Sequence, residues 1–232
     1  MDRKKKPDQE YMKESVHTQL SYWFCVIATG IEFSLGLTHM NEYFGQMCLI
    51  EALFGVSGLL FLDLLHGRKS IYPKPFKKMH PNTFFRFAIT FGVIVLIQFL
   101  FQIVPLITST EMMLGVVFCA VVEEYFFRGI LMEPAFRIGE KSKDKFTVWK
   151  YKDKPNKEIS YVELGGIILS AAIFASFHVN YYGQIRLIGM VFVGGLWLAT
   201  VYFWNKDLTA VILAHFLLNI VFVSQYYMIY GL

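Results

Sequence analysis

The sequence predicts an all-α fold, a polytopic membrane helix bundle of about seven transmembrane helices with a small β-hairpin in its one long loop. Three observations carry that prediction. Of the 232 residues, 55% are hydrophobic and only 17% are charged, where a soluble domain carries about 25%. Apolar runs of about 20 residues, the length that crosses a bilayer, recur along most of the chain. The basic residues are confined to a few segments between those runs.

The elements follow in order. Residues 1–18 are polar and basic and read as a cytoplasmic tail, leaving 19–232 as a single transmembrane domain. MDRKKK at the start is basic like the opening of a signal peptide. The apolar run after it is too long for one and has no clear small-residue cleavage site, so it reads as a retained helix. Span one runs from Leu20 to Met40 and span two from Tyr43 to His66, with Gly55 and Gly58 allowing close packing. Pro73, Pro75 and Pro81 deny regular helix to the basic loop that follows. Span three covers Phe84 to Ile107. Span four covers Glu111 to Glu133 and is expected to stop before Pro134. Residues 137–160 form the long hydrophilic loop. Its alternation around Lys154-Pro155-Asn156-Lys157 suggests a hairpin. Span five runs from Val162 to Tyr181, span six from Ile185 to Trp204 and span seven from Leu208 to Tyr230.

Charge sets the expected orientation. Nineteen of the 22 Lys and Arg residues lie in the tail or in the second, fourth and sixth loops. Cytoplasmic loops collect Lys and Arg, so the N-terminus is expected in the cytoplasm and the C-terminus outside. This grouping argues for membrane topology and against nucleic-acid binding. Cys25, Cys48 and Cys119 fall within apolar runs without paired spacing, which points to neither a disulfide nor a thiolate metal site.

The chemistry concentrates in Cys119–Met132, CAVVEEYFFRGILM. Glu123, Glu124 and Arg128 there are charges inside hydrocarbon, which cost several kcal/mol each and by default mark function. Glu124 and Arg128 are four apart and can pair on one helix face. Glu123 lies about 100° around the helix and is left for other work. Span five ends with Phe174, His178 and Asn180. Span seven carries His215 and Asn219, four apart and projecting together as hydrogen-bond donors. Glu32, Glu51 and Asp63, and the pair Gln98 and Gln102, read as structural groups that hold helices together.

Glu123-Glu124-x-x-x-Arg128, Phe174-x-x-x-His178 and His215-x-x-x-Asn219, in that order on successive helices, resemble the CPBP (Abi) family. These are intramembrane proteases that include CAAX prenyl endopeptidases and relatives linked to bacteriocin immunity. Arg128-Gly129 and Gly194-Gly195 also fit the pattern, and the likeness covers about residues 111–220. The charged loop between the first and second motifs is long for the family. The resemblance implies an endopeptidase acting near the C-terminus of a lipidated, CAAX-type prenylated, or hydrophobic peptide. In that reading Glu123 is the general base, His178 positions the attacking water, and His215 with Asn219 forms the oxyanion hole. Glu124 and Arg128 support them. The expected partners are that peptide and membrane lipid, with no nucleic acid and no cofactor.

Other readings stay open on the residues alone. Zinc takes His and carboxylate ligands, so Glu123, His178 and His215 form a candidate zinc set, though no HExxH is present. The metal-independent glutamate route is preferred. A non-catalytic scaffold or bacteriocin-immunity protein would tolerate loss of Glu123. A proton- or cation-coupled transporter would use the same groups as a relay, but it usually shows inverted repeats, which this sequence lacks.

Overall fold

A computed structural model describes residues 81–101, 110–152, 156–178 and 184–230. The expected tail and spans one and two lie outside the described residues. Six helices and one hairpin remain: α1 (Thr83–Phe101), α2 (Thr110–Glu124), α3 (Glu133–Glu140), β1 (Lys145–Trp149), β2 (Lys157–Ser160), α4 (Tyr161–Ser176), α5 (Ile185–Asn205) and α6 (Leu208–Tyr230). A π-helical segment, Tyr125–Leu131, continues α2 without a break, since Glu124 keeps right-handed helical angles. The chain is mostly helical.

By length and composition, α1, α5 and α6 can each cross a membrane. At 16 residues, α4 is shorter than span five was expected to be. It reaches about 24 Å against a hydrocarbon core of about 30 Å. Its last turn tightens: the His178 amide bonds the Ala175 carbonyl at 3.2 Å, and the Ser176 hydroxyl takes the Ile173 carbonyl at 2.7 Å. Both bonds reach back only three residues, which ends the α-helical ladder. The expected stop before Pro134 is present at Met132, but a further helix that was not expected follows it. The chain bends at Met132, and Pro134 sits in the first turn of α3, where its missing N–H is no loss. The first residues of the expected loop are therefore helical to Glu140. The expected hairpin is present, with antiparallel pairing from Lys145↔Ser160 to Trp149↔Lys157.

Polar ties at both ends set how the spans register. At the loop end, Asp207 accepts from the Thr83 hydroxyl at 2.8 Å and from Arg86 at 3.1 Å. Its other oxygen caps α6 by accepting from the Ala210 amide at 3.2 Å. Near the far end, Gln98 donates to Gln225 at 2.8 Å. These two ties run α1 parallel to α6. The packing role expected of Gln98 is what it performs, while Gln102 lies outside the described residues. The Trp197 indole donates to the Thr90 carbonyl at 3.2 Å and fastens α5 to α1.

Lipid offers apolar groups as good a solvent as the core does, so small residues and polar ties carry the packing. Ala171, Ala199, Ala210 and Ala214 are fully buried where the helices meet. Large apolar side chains on α1, among them Phe84, Phe85, Phe99 and Leu100, face outward. With the three spanning helices, this makes the chain an integral membrane protein.

Candidate functional site

The site lies where α2 and its π-helical extension meet α4, α5 and α6. α6 runs antiparallel to α2. That direction brings His215, early in α6, to Glu124, late in α2. It brings Asn219, one turn further along α6, to Val116, earlier in α2. His215 Nδ1 is 2.8 Å from Glu124 Oε1, and the Asn219 amide donates to the Val116 carbonyl at 2.6 Å. His215 Nε2 faces Glu123 Oε2 at 3.7 Å. One imidazole thus stands between the two adjacent glutamates. A carboxylate only accepts hydrogen bonds, so the proton of the short contact resides on Nδ1.

Arg128 closes the other side. Its Nη1 bonds Glu124 Oε1 at 2.9 Å and its Nη2 bonds the Gly195 carbonyl at 3.1 Å. The guanidinium also lies 4.5 Å from the centre of the Phe174 ring, a cation–π distance. Both charged side chains of the pair are wholly buried, while Glu123 keeps 15% exposure. The difference assigns them different situations. Glu124 is sealed among fixed partners, and Glu123 stands at the edge of the enclosed volume.

Phe174 is the hub that the residue pattern named without a role. Its ring meets Phe127 at 5.2 Å, His178 at 4.8 Å and His215 at 5.8 Å, all edge-on. His178 sits just past the end of α4, with Nδ1 2.8 Å from the Phe174 carbonyl. That bond directs Nε2 away from the helix. Asn180 lies outside the described residues.

Three further groups complete the frame. Gly195 lets α5 approach closely: a Cβ there would stand 3.0 Å from Phe174 and 3.4 Å from Arg128 Nη2. The Ser170 hydroxyl takes the Phe127 carbonyl at 3.0 Å, tying α4 to the π-helical segment. The Val116 carbonyl fixes Asn219. Gly195 was visible in the sequence as part of Gly194-Gly195. Ser170 and the Val116 carbonyl had no signal there, because backbone acceptors and lone serines are found only by their partners. The π-helical segment is itself informative, since such segments occur often at functional sites.

Among the described residues, no three His, Cys, Asp or Glu side chains stand close enough to share a metal ion. Glu123, His178 and His215, the candidate zinc set weighed against the preferred metal-independent route, are all described and do not form such a group.

The profile of the type II CAAX prenyl endopeptidase Rce1-like family matches residues 105–221. The match covers half of the chain. The chain belongs to this family. No curated protein and no solved structure matches the chain. Every site residue named above falls inside the Rce1-like match, from Val116 to Asn219. Membership places the chain in a family of CAAX-type intramembrane proteases. The hairpin also lies within the matched stretch.

Proposed function

We propose that this Rce1-like chain is an intramembrane endopeptidase that hydrolyses a peptide bond near the C-terminus of a lipidated, CAAX-type prenylated, or hydrophobic peptide. The observation that carries the reading is His215 set between Glu124 at 2.8 Å and Glu123 at 3.7 Å. It joins groups from two helices and two separate sequence motifs at one buried point, and Phe174 links His178 to the same point.

Peptide hydrolysis needs an activated water and donors for the oxyanion. Glu123, the more exposed carboxylate, takes the proton of the attacking water. His178 holds that water through Nε2. The new C–O bond forms as the carbonyl π electrons move onto oxygen, where His215 and Asn219 donate. Asn219 has a second amide hydrogen beyond the one given to Val116. His215 can donate from Nε2 only with both ring nitrogens protonated, because Nδ1–H is committed to Glu124. The scissile C–N bond then breaks, and the proton held by Glu123 passes to the leaving amine. Glu124 and Arg128 orient this set. Each step, as proposed, uses the protein's own groups.

The positive loops support a cytoplasmic N-terminus and an outside C-terminus for one transmembrane domain over 19–232.

The deciding experiment uses Glu123→Gln in the purified, reconstituted protein, with prenylated and unmodified peptides read by mass spectrometry. Cleavage should disappear while the variant remains folded in membranes. Retained cleavage overturns Glu123 as the base. A non-catalytic scaffold would show no cleavage in either protein.

A further inference from the structure

The segment 137–160 holds eight basic and four acidic residues, an excess equal to the net charge of +4 of the whole chain. Its hairpin has a specific construction. β1 carries one extra residue between Thr147 and Trp149, so that Trp149 pairs with Lys157. Without that bulge, Phe146 and Trp149, three apart, would point to opposite faces of the strand. With it, both share the face of Ile159 and Lys157.

That face rests on the end of the helix bundle. Phe146 packs on Tyr161, the first residue of α4, with ring centres 5.4 Å apart. Trp149 meets Trp204, in the last turn of α5, at 6.4 Å. The Lys157 ammonium reaches the Phe203 and Trp204 carbonyls at 3.3 and 3.4 Å, capping α5. Burial lowers its pKa, and Glu163 partly restores it. The hairpin therefore lies at the depth where a membrane span ends, rather than projecting into water.

At that depth the rings remain partly uncovered. Trp149 is 58% exposed and Tyr161 69%. Exposed lysines flank them: Lys143, Lys145, Lys150 and Lys152. Among the described residues, Glu140, Asp144 and Glu158 are the exposed acids nearby and are outnumbered. Indole and phenol rings partition to the headgroup layer, and lysines beside them meet lipid phosphates.

We propose that the hairpin is an interfacial docking surface for anionic phospholipid headgroups of the leaflet in which α5 ends. The rings set its depth and the lysines select the charge. It would hold the loop end of α4 and α5, and so the frame of the site, in a fixed relation to the bilayer surface.

The test reconstitutes the full chain in phosphatidylcholine vesicles containing a minor share of phosphatidylglycerol. Acyl-chain bromine is placed on one lipid or the other. Subtracting the emission of Trp149→Phe isolates the Trp149 signal. Per brominated molecule, phosphatidylglycerol should quench Trp149 at least about two-fold more than phosphatidylcholine. High salt should bring that ratio close to one in the unaltered protein, by screening. Combined Lys143→Gln, Lys150→Gln and Lys152→Gln should do the same at low salt. Equal quenching by the two lipids at low salt overturns the charge selection. No quenching by either overturns the docking itself and leaves the surface open to a soluble acidic partner. The salt comparison needs only the Trp149→Phe reference, so a misfolded triple variant would not mask the result.

Discussion

His215 Nδ1 and Arg128 Nη1 converge on a single oxygen, Oε1 of Glu124, at 2.8 and 2.9 Å. The carboxylate accepts both bonds and thereby sets the protonated nitrogen of His215. In the proposed mechanism Glu124 is thus a positioning residue that acts through His215. Glu124→Gln leaves an oxygen that can still accept but carries no charge to hold the imidazole and the guanidinium. Cleavage turnover should fall by roughly 10²–10⁴-fold with KM little changed, as when a histidine loses its orienting carboxylate. Steady-state kinetics on a prenylated peptide checks this. A rise in KM with turnover preserved would place Glu124 in substrate binding instead.

Gly195 and Gly194 are neighbours with opposite tolerance. A Cβ on Gly195 meets Phe174 at 3.0 Å, whereas one on Gly194 meets only Ile94, at 3.8 Å, an ordinary contact. Gly195→Ala should therefore push α5 off α4 and stretch the Arg128 bond to the Gly195 carbonyl. It should cost about 1–3 kcal/mol and reduce cleavage. Gly194→Ala should stay within about 0.5 kcal/mol. Thermal unfolding in detergent, run on both variants, separates them.

Asp207 serves three partners at once, the Thr83 hydroxyl, the Arg86 guanidinium and the Ala210 amide. Asp207→Ala removes a helix cap and leaves Thr83, which is fully buried, without its acceptor. A loss of about 2–4 kcal/mol is expected. Asp207→Asn keeps an acceptor for the cap and should lose less. The order of melting temperatures, native above Asn above Ala, is the check.

Metal dependence has its own measurement. Because no three ligands gather among the described residues, cleavage should survive stringent chelation with metal content verified by elemental analysis. Activity lost on chelation and restored by zinc would require the site to rearrange around a metal.

Much of this was legible because membrane sequences are strongly constrained. Span seven was expected at Leu208–Tyr230 and α6 occupies those residues. Polar residues at its interior stand out against an apolar background. The hairpin was legible from its alternation and turn residues. The end of α4 was not, because nothing between Phe174 and Tyr181 breaks helix by composition. Its start was readable in a signal left unused: Ser160 and Glu163 form a capping box, which begins α4 at Tyr161. Pro134 marked the stop of span four but not the start of α3, because proline stops one helix and equally well opens the next.

By itself, the sequence determined that the chain is a membrane helix bundle with its interior polar residues grouped in three motifs. Hydrophobicity, helix spacing and charge placement are local properties, and they are written residue by residue. Only the tertiary structure decided which residues of the motifs meet. Spacing along α2 paired Glu124 with Arg128 but could not supply His215, 91 residues away, as a third partner on the same oxygen. Nor could it show Phe174 linking two histidines, or Gly195 lending a carbonyl to Arg128. Those contacts depend on the antiparallel register of α2 and α6 and on how closely α5 approaches α4. Both are set by packing across helices, which local sequence does not encode. The stretch around Glu123 and Glu124 thus became two carboxylates with one histidine between them.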